Sequence, residues 1–188
     1  MQHIYQNIDG WFSFPGLYSN VVKLFPENSH FVEIGTWYGR SAAYMAVEIA
    51  NSNKKIKFDC VDTWVGSDED IHKKELDVIN NTLYEKFLSN IEPVKNYINP
   101  IRMESLKAVE LYKNNSLDFV FVDASHDYEN VKKDIEAWYP KVRSGGILAG
   151  HDYVEVWKGV MQAVDEFLQK ENYKLNIKSE FCWGIVKR

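Results

Sequence analysis

Cysteine is nearly absent from this chain: Cys60 and Cys182 stand far apart, each inside an apolar run. Two such thiols build neither a disulfide framework nor a metal cluster, and they read as buried and reduced. An excess of positive charge is also missing. The net charge is −5, so the basic footprint of nucleic-acid binding is absent, and DNA, RNA and anionic membranes are disfavoured as partners. No apolar run is long enough to cross a bilayer. The opening residues Met1 to Asn7 carry no basic region followed by an apolar stretch, so no signal peptide is expected. Internal repeats, low-complexity tracts and linkers are lacking too. What remains is 188 residues, 45% of them hydrophobic and 26% charged. That suits one ordinary domain with a substantial core, residues 1–188, expected to be soluble and cytoplasmic.

Short β-rich apolar runs alternate with longer stretches of helical periodicity, which argues for an α/β fold: a parallel sheet with helices on its faces. The strands are expected at His30 to Thr36, Lys57 to Trp64, Ile101 to Met103, Leu117 to Asp123 and Ile147 to Gly150. Between them, Ala42, Met45, Ala46 and Ile49 fall on one helical face, and Leu76, Ile79, Leu83, Phe87 and Ile91 repeat at roughly helical spacing. Ser105 is a plausible cap for the helix carrying Leu106, Val109 and Leu111. Val131, Ile135, Trp138 and Val142 form the inward stripe of the clearest helix, with Asp134 among its water-facing residues and Gly145-Gly146 as its stop. Val160, Ala163, Val164, Phe167 and Leu168 mark another. The runs Lys174 to Lys178 and Phe181 to Val186 close the chain. Their short Ser179-Glu180 connection permits only an antiparallel pair. The total is seven strands, mostly parallel, ending in a hairpin.

Ligands of open α/β sheets bind beyond the carboxyl ends of the strands, near the point where strand order reverses. After the first strand stands Glu33-Ile34-Gly35-Thr36-Trp37-Tyr38-Gly39-Arg40-Ser41. A glutamate occupies the place of the first glycine of GxGxxG, and the glycines are too widely spaced for that fingerprint. A pyrophosphate wants a glycine nest with no carboxylate nearby, whereas an acidic residue suits a cationic ligand without phosphates. After the second strand comes Asp62-Thr63-Trp64, where a carboxylate can accept hydrogen bonds from ribose hydroxyls. Trp64 either stacks on an adenine or packs in the core. Asp123-Ala124-Ser125-His126-Asp127-Tyr128 and Gly150-His151-Asp152-Tyr153 follow the fourth and fifth strands. Neighbouring strands would bring Asp123 close to His151 and Asp152. This cluster could ligate a divalent metal, Mg²⁺ or Mn²⁺ where oxygen dominates and Mn²⁺ or Fe²⁺ where imidazole joins. Alternatively a histidine serves as general base, or Asp127 and Asp152 merely cap the following helices.

With these residues in place, the chain resembles the class I S-adenosylmethionine-dependent methyltransferases, from about Gly10 to the last strand. It is most similar to a small bacterial and viral group with motifs close to VEIGSWxGRS, DTWxGD, VDGxHxYxxVxxDxxxW and GGxLxGHDY. The matching blocks are Val32 to Ser41, Asp62 to Ser67, Val122 to Tyr128 reaching Asp134 and Trp138, and Gly145 to Tyr153. The resemblance implies a Rossmann-like three-layer sandwich and S-adenosylmethionine as cofactor. It implies that Glu33, Gly35 and Gly39 shape the pocket for the methionine part, with Thr36, Trp37, Arg40 and Ser41 in the adjoining loop. Asp62 would hold the ribose, Thr63 and Trp64 would flank it, and Glu104-Ser105 would lie by the adenine. Asp123 would form the floor of the active site. The magnesium ligands of related enzymes fall on Asp123, His151 and Asp152, and the catalytic base on His126. Two departures stand out: Ser67 replaces the last acid of DTWxGD, and His151 replaces an acidic ligand.

The implied reaction is methylation of a hydroxyl on a small molecule or sugar, with His126 removing the proton and Asp123 and Asp152 holding a metal (Mg or Mn) or orienting the base. The aromatic stretch Gly10 to Pro15, in an N-terminal helical or lid segment over residues 1–29, would cover the ligand or pack on the sheet. Two rivals are an inactive module that binds S-adenosylmethionine or S-adenosylhomocysteine and an NAD-dependent dehydrogenase. A homo-oligomer is compatible with the sequence, which is silent on the point.

Overall fold

The computed structural model describes residues 1–179 and 181–188. Its sheet runs in the order β3-β2-β1-β4-β5-β7-β6. The strands are β1 (His30–Ile34), β2 (Lys57–Asp62), β3 (Asn99–Arg102), β4 (Leu117–Val122), β5 (Val142–Gly150), β6 (Ile177–Ser179) and β7 (Cys182–Val186). The first five are parallel, and β7 lies antiparallel between β5 and β6. Six strands have four to nine residues, so the body of the sheet is six-stranded, and the expected seventh is a three-residue edge on β7. The expected turn at Ser179-Glu180 includes Glu180, which lies outside the described residues.

Alternation along the central strands sends side chains to two separate cores. Phe31, Phe58, Cys60, Phe119 and Phe121 face one layer, with α1 (Pro15–Leu24), α2 (Arg40–Ser52) and α5 (Leu83–Ile91). Val32, Ile34, Val61, Val120 and Val122 face the other, with α7 (Tyr128–Trp138) and α8 (Lys158–Glu171). β4 is buried at every position, as its unbroken apolar run requires. Among the described residues no helix is long and apolar enough to cross a membrane.

Several expectations are corrected. The stretch from Leu76 to Ile91 is not one helix. It breaks into α4 (Leu76–Ile79) and α5, with Asn81 in a left-handed backbone between them, and a separate short helix, α3 (Asp70–Lys73), precedes them. Only Leu83, Phe87 and Ile91 of that series are buried, while Leu76 and Ile79 are exposed. Gly145-Gly146 does not stop α7, which ends at Trp138; the glycines lie inside β5, where the pairing with β4 shifts register. Asp134 is buried rather than water-facing. It accepts a hydrogen bond from the Ser105 hydroxyl at 2.5 Å. Ser105 is therefore no cap for α6 (Ser105–Ala108), whose N-cap is Glu104.

Candidate active site

Strand order reverses between β1 and β4, and the candidate site lies beyond the carboxyl ends of these strands. The β1–α2 turn needs its first glycine. Gly35 sits at φ +84°, and a Cβ there would lie 2.0 Å from the Asp123 carbonyl oxygen, so the turn and the end of β4 touch backbone to backbone. Asp62 holds this turn: one oxygen accepts from the amides of Thr36 and Trp37 at 2.8 and 2.9 Å, the other from the Trp64 amide at 2.8 Å. Three of the roughly four lone-pair positions of the carboxylate are thus committed to backbone. Asp62 organises the loop first and has little left for a ribose. Thr63 is half-buried beside it.

Of the two readings of Trp64, packing is the one seen. Its side chain is fully buried against Tyr84 and Phe87, and its indole N–H donates to the Trp37 carbonyl at 2.9 Å. Ser105 is likewise turned away, accepting from the Trp138 indole N–H at 2.8 Å while donating to Asp134. Glu104 is exposed and pairs with Lys107.

Glu33 is fully buried at the end of β1. One oxygen accepts the Ser41 hydroxyl, and the other has no hydrogen-bond partner. Burial pushes its carboxyl up to about 8. The bonded Ser41 hydroxyl pulls it down, with a lesser pull from the nearby Tyr18 hydroxyl, and the charges of Asp123 and Asp62 push it further up. The Thr36 hydroxyl, also buried, is unpartnered as well. A phosphate would find like charge here. A sulfonium or ammonium would supply what Glu33 lacks, so these residues fit the cationic nucleoside.

Across the crevice, the ends of β4 and β5 bring the expected cluster together. His151 Nδ1 lies 3.1 Å from Asp152 Oδ2 and 3.8 Å from Asp123 Oδ1, and its Nε2 lies 2.9 Å from the Ser13 hydroxyl. His126 is held on both sides, Nδ1 by Glu69 at 2.6 Å and Nε2 by Asp152 at 2.8 Å, with its ring stacked on Trp157 at 4.2 Å. Burial opposes the charge on His126, but the two carboxylate bonds outweigh it and raise the imidazole to about 9. Burial would raise Asp152, yet the bonds from His126 and His151 hold it well below the usual carboxylate range. Burial pushes Asp123 up to about 6, against the nearby His151; a fifth of its side chain is exposed, so solvent takes back part of that shift.

These contacts correct one expectation. His126, donating from both nitrogens, has no lone pair at neutral pH and is not poised as a base. Among the described residues, Asp123, His126 and Asp152 have ligand atoms that converge for a metal, within 4.8 Å of one another, and the expected ligand His151 lies against the same two carboxylates. Two carboxylates and an imidazole suit a divalent ion of the Mn²⁺ type once His126 gives up its proton. Asp127 does cap α7, accepting from the Asn130 amide, whereas Asp152 lies within the cluster.

Glu69, Tyr18 and Trp157 were not singled out by the sequence as site residues, and Ser13 only as part of the covering stretch Gly10 to Pro15. Glu69 supplies, two positions later, the carboxylate missing at Ser67, a shift that motif matching cannot register. Gly10 to Phe14 crosses the crevice as an irregular strap: Phe14 is buried against His151 and Phe121, and Arg40 Nη1 donates to the Gly10 carbonyl at 2.7 Å.

A family model described as a methyltransferase domain matches residues 32–153. The chain is 30% identical over 146 residues to an uncharacterised protein of Acanthamoeba polyphaga mimivirus, covering 73% of this chain and 58% of that protein. It is 26% identical over 121 residues to an uncharacterised protein of Sinorhizobium fredii, covering 64% of this chain and 13% of that one. The chain thus spans only part of the length of these relatives. Among solved structures, the O-methyltransferase NovP aligns with a TM-score of 0.70 at 17% identity, covering 92% of this chain and 78% of NovP. An O-methyltransferase from Bacillus cereus, solved in complex with SAH, aligns at 0.63 and 17% identity, covering 97% and 86%. At such identities the likeness is one of fold.

Proposed function

The chain belongs to the methyltransferase-domain family whose model matches residues 32–153, and on that premise we propose that it transfers the methyl group of S-adenosylmethionine to a hydroxyl of a small molecule or sugar. One observation carries the reading. Glu33 is wholly buried with an unpartnered oxygen, and among the described residues no Lys, Arg or His ion-pairs with it. A buried carboxylate in that state is satisfied by a cationic ligand.

S-adenosylmethionine supplies a methyl activated by positive sulfur, and the protein's share is alignment, exclusion of water and management of one proton. Glu33, Thr36 and Ser41 lie on the cofactor side, and Asp62 keeps their loop in shape. The acceptor proton goes to His151. Its Nδ1 lies beside the Asp152 carboxylate and its Nε2 beside the Ser13 hydroxyl; with a proton on Nδ1, the lone pair on Nε2 would receive the acceptor's. His126, fixed between Glu69 and Asp152, orients Asp152 beneath His151. A divalent ion, when bound by Asp123, His126 and Asp152, would add positive charge for an acceptor alkoxide.

Calorimetry with S-adenosylmethionine, S-adenosylhomocysteine and NAD, followed by methyl transfer to a panel of hydroxyl acceptors, tests the reading. Binding of the first two and not of NAD is expected. A protein that ignores both at millimolar concentration refutes it, and one that binds them yet methylates nothing is an inactive module. His151→Ala should cut turnover by about 10²-fold or more with S-adenosylhomocysteine affinity near normal. Turnover unchanged by EDTA removes the metal and leaves His151 in place.

A further inference from the structure

One oxygen of the buried Glu33 carboxylate is served and the other is not. Two positions after Phe31 on β1, Glu33 points into the same layer, between the sheet and α1 and α2. Its register partner on β4 is Phe121. The Tyr18 ring of α1 stands edge-on over that phenylalanine, with centroids 5.2 Å apart, and against Phe14 at 5.1 Å; it is fully buried. Two helices therefore approach one carboxylate. Ser41, in the first turn of α2, donates its hydroxyl to Glu33 Oε1. The Tyr18 hydroxyl is near enough to draw the Glu33 carboxyl down, yet neither it nor Glu33 Oε2 forms a hydrogen bond, and both atoms are buried. A buried donor and a buried acceptor left apart at such range cost free energy that their pairing would recover.

A carboxyl accepts hydrogen bonds strongly only as the anion, and a buried one becomes the anion beside a positive charge. Resting on the methyl-transfer reading, we infer that Tyr18 is a positioning residue for the cofactor: its hydroxyl donates to Glu33 Oε2 when a cationic ligand is bound beside that carboxylate. Ser41 and Tyr18 then hold the two oxygens from separate helices, which fixes the plane of the carboxylate and the direction of its charge. Burial, then the charges of Glu33 and Asp123, push the Tyr18 phenol well above its ordinary range, so it stays a donor throughout. Tyr18 thus acts through Glu33 and not on the reacting atoms. A hydroxyl in this role contributes nothing to the empty fold and a full charge-assisted bond to the occupied one.

The test compares the full chain with Tyr18→Phe, which removes the hydroxyl and keeps the ring. Without ligand, the melting temperature of the variant should stay level or rise, because an unpaired buried hydroxyl is lost. Calorimetric affinity for S-adenosylmethionine should fall roughly ten- to 150-fold, the worth of one hydrogen bond to a charged group. Affinity for 5′-methylthioadenosine, a neutral nucleoside thioether, should be the same in the two proteins, since it brings no positive charge to Glu33. At equal S-adenosylmethionine concentration the ligand should accordingly raise the melting temperature less in the variant. A lower melting temperature of the empty variant would mean that the hydroxyl is already bonded there, and it overturns the inference. Unchanged affinity for S-adenosylmethionine does the same, as does an equal loss for both ligands, which would leave Tyr18 with packing alone. Failure of the unaltered protein to bind S-adenosylmethionine and S-adenosylhomocysteine overturns instead the reading on which the role of Tyr18 rests.

Discussion

A carboxylate sealed from water with no cation beside it either keeps its proton or meets a positive ligand. Glu33 illustrates both states. Burial raises it to about 8, so the empty site holds it neutral at physiological pH, and a bound sulfonium or ammonium favours its ionised form. Binding of S-adenosylmethionine should release a proton below about pH 8, and affinity should rise with pH and level off above that value. Calorimetry in two buffers of different ionisation heat reads the proton count. Glu33→Gln should flatten the pH profile, and a flat profile in the unaltered protein would sink the idea. The linkage to stability has the opposite sign. A raised folded-state pKa gives a contribution that is full below the unfolded value near 4.5 and is lost as pH rises through about 8. Gly35 is the other residue with no substitute. Its left-handed φ and the Asp123 oxygen 2.0 Å from any Cβ make Gly35→Ala cost about 2 kcal/mol or more, seen in thermal melts as a loss of roughly 4–8 °C.

Elements were legible in the sequence where one packing face decides them. The strands β1, β2 and β4 stand out as apolar runs, and α7 shows its stripe in Val131, Ile135 and Trp138. Legibility failed where contacts distant in sequence decide. Ser105 has the composition of a helix cap but bonds Asp134 and Trp138. Trp64 could equally stack or pack, and the choice depends on Tyr84 and Phe87, twenty or more positions away. The segment carrying α4 and α5 looks like one amphipathic helix, yet its first part, with α3 before it, is held by polar tethers. The Tyr38 hydroxyl lies within 2.9 Å of both Glu75 and Asp77, and Glu69 reaches His126. This segment is thus latched over the site rather than packed into a core. Glu69→Gln should lower the His126 pKa from its value of about 9 and speed amide exchange through α3 and α4, read by NMR titration and hydrogen exchange. Unchanged exchange would mean that the tether at Glu69 holds nothing.

At the scale of the molecule, chemistry and stability occupy opposite ends of the sheet. Three residues before Asp62 on β2, about 10 Å along the strand, Asp59 is fully buried. It accepts from His30 on β1 at 2.7 Å, from Asn99 on β3 at 2.8 Å and from Tyr112 at 2.9 Å, with Lys57 at 3.2 Å. Burial alone would raise its pKa, but these donors outweigh it and hold the carboxyl at about 2. One side chain therefore ties three adjacent strands together where no ligand is expected. Asp59→Ala leaves buried donors unpaired and should cost about 3 kcal/mol or more, a fall in melting temperature of roughly 6–12 °C. Because the folded pKa is depressed, the stabilisation from Asp59 is present above the unfolded value of 3.8 and disappears as pH falls through about 2. The variant should accordingly lose part of its acid-dependent destabilisation between those limits. Affinity for S-adenosylhomocysteine, measured well below the melting temperature, should not change. If affinity falls in step with stability, the two ends of the sheet are not independent, and the separation of binding from scaffolding along β2 is wrong.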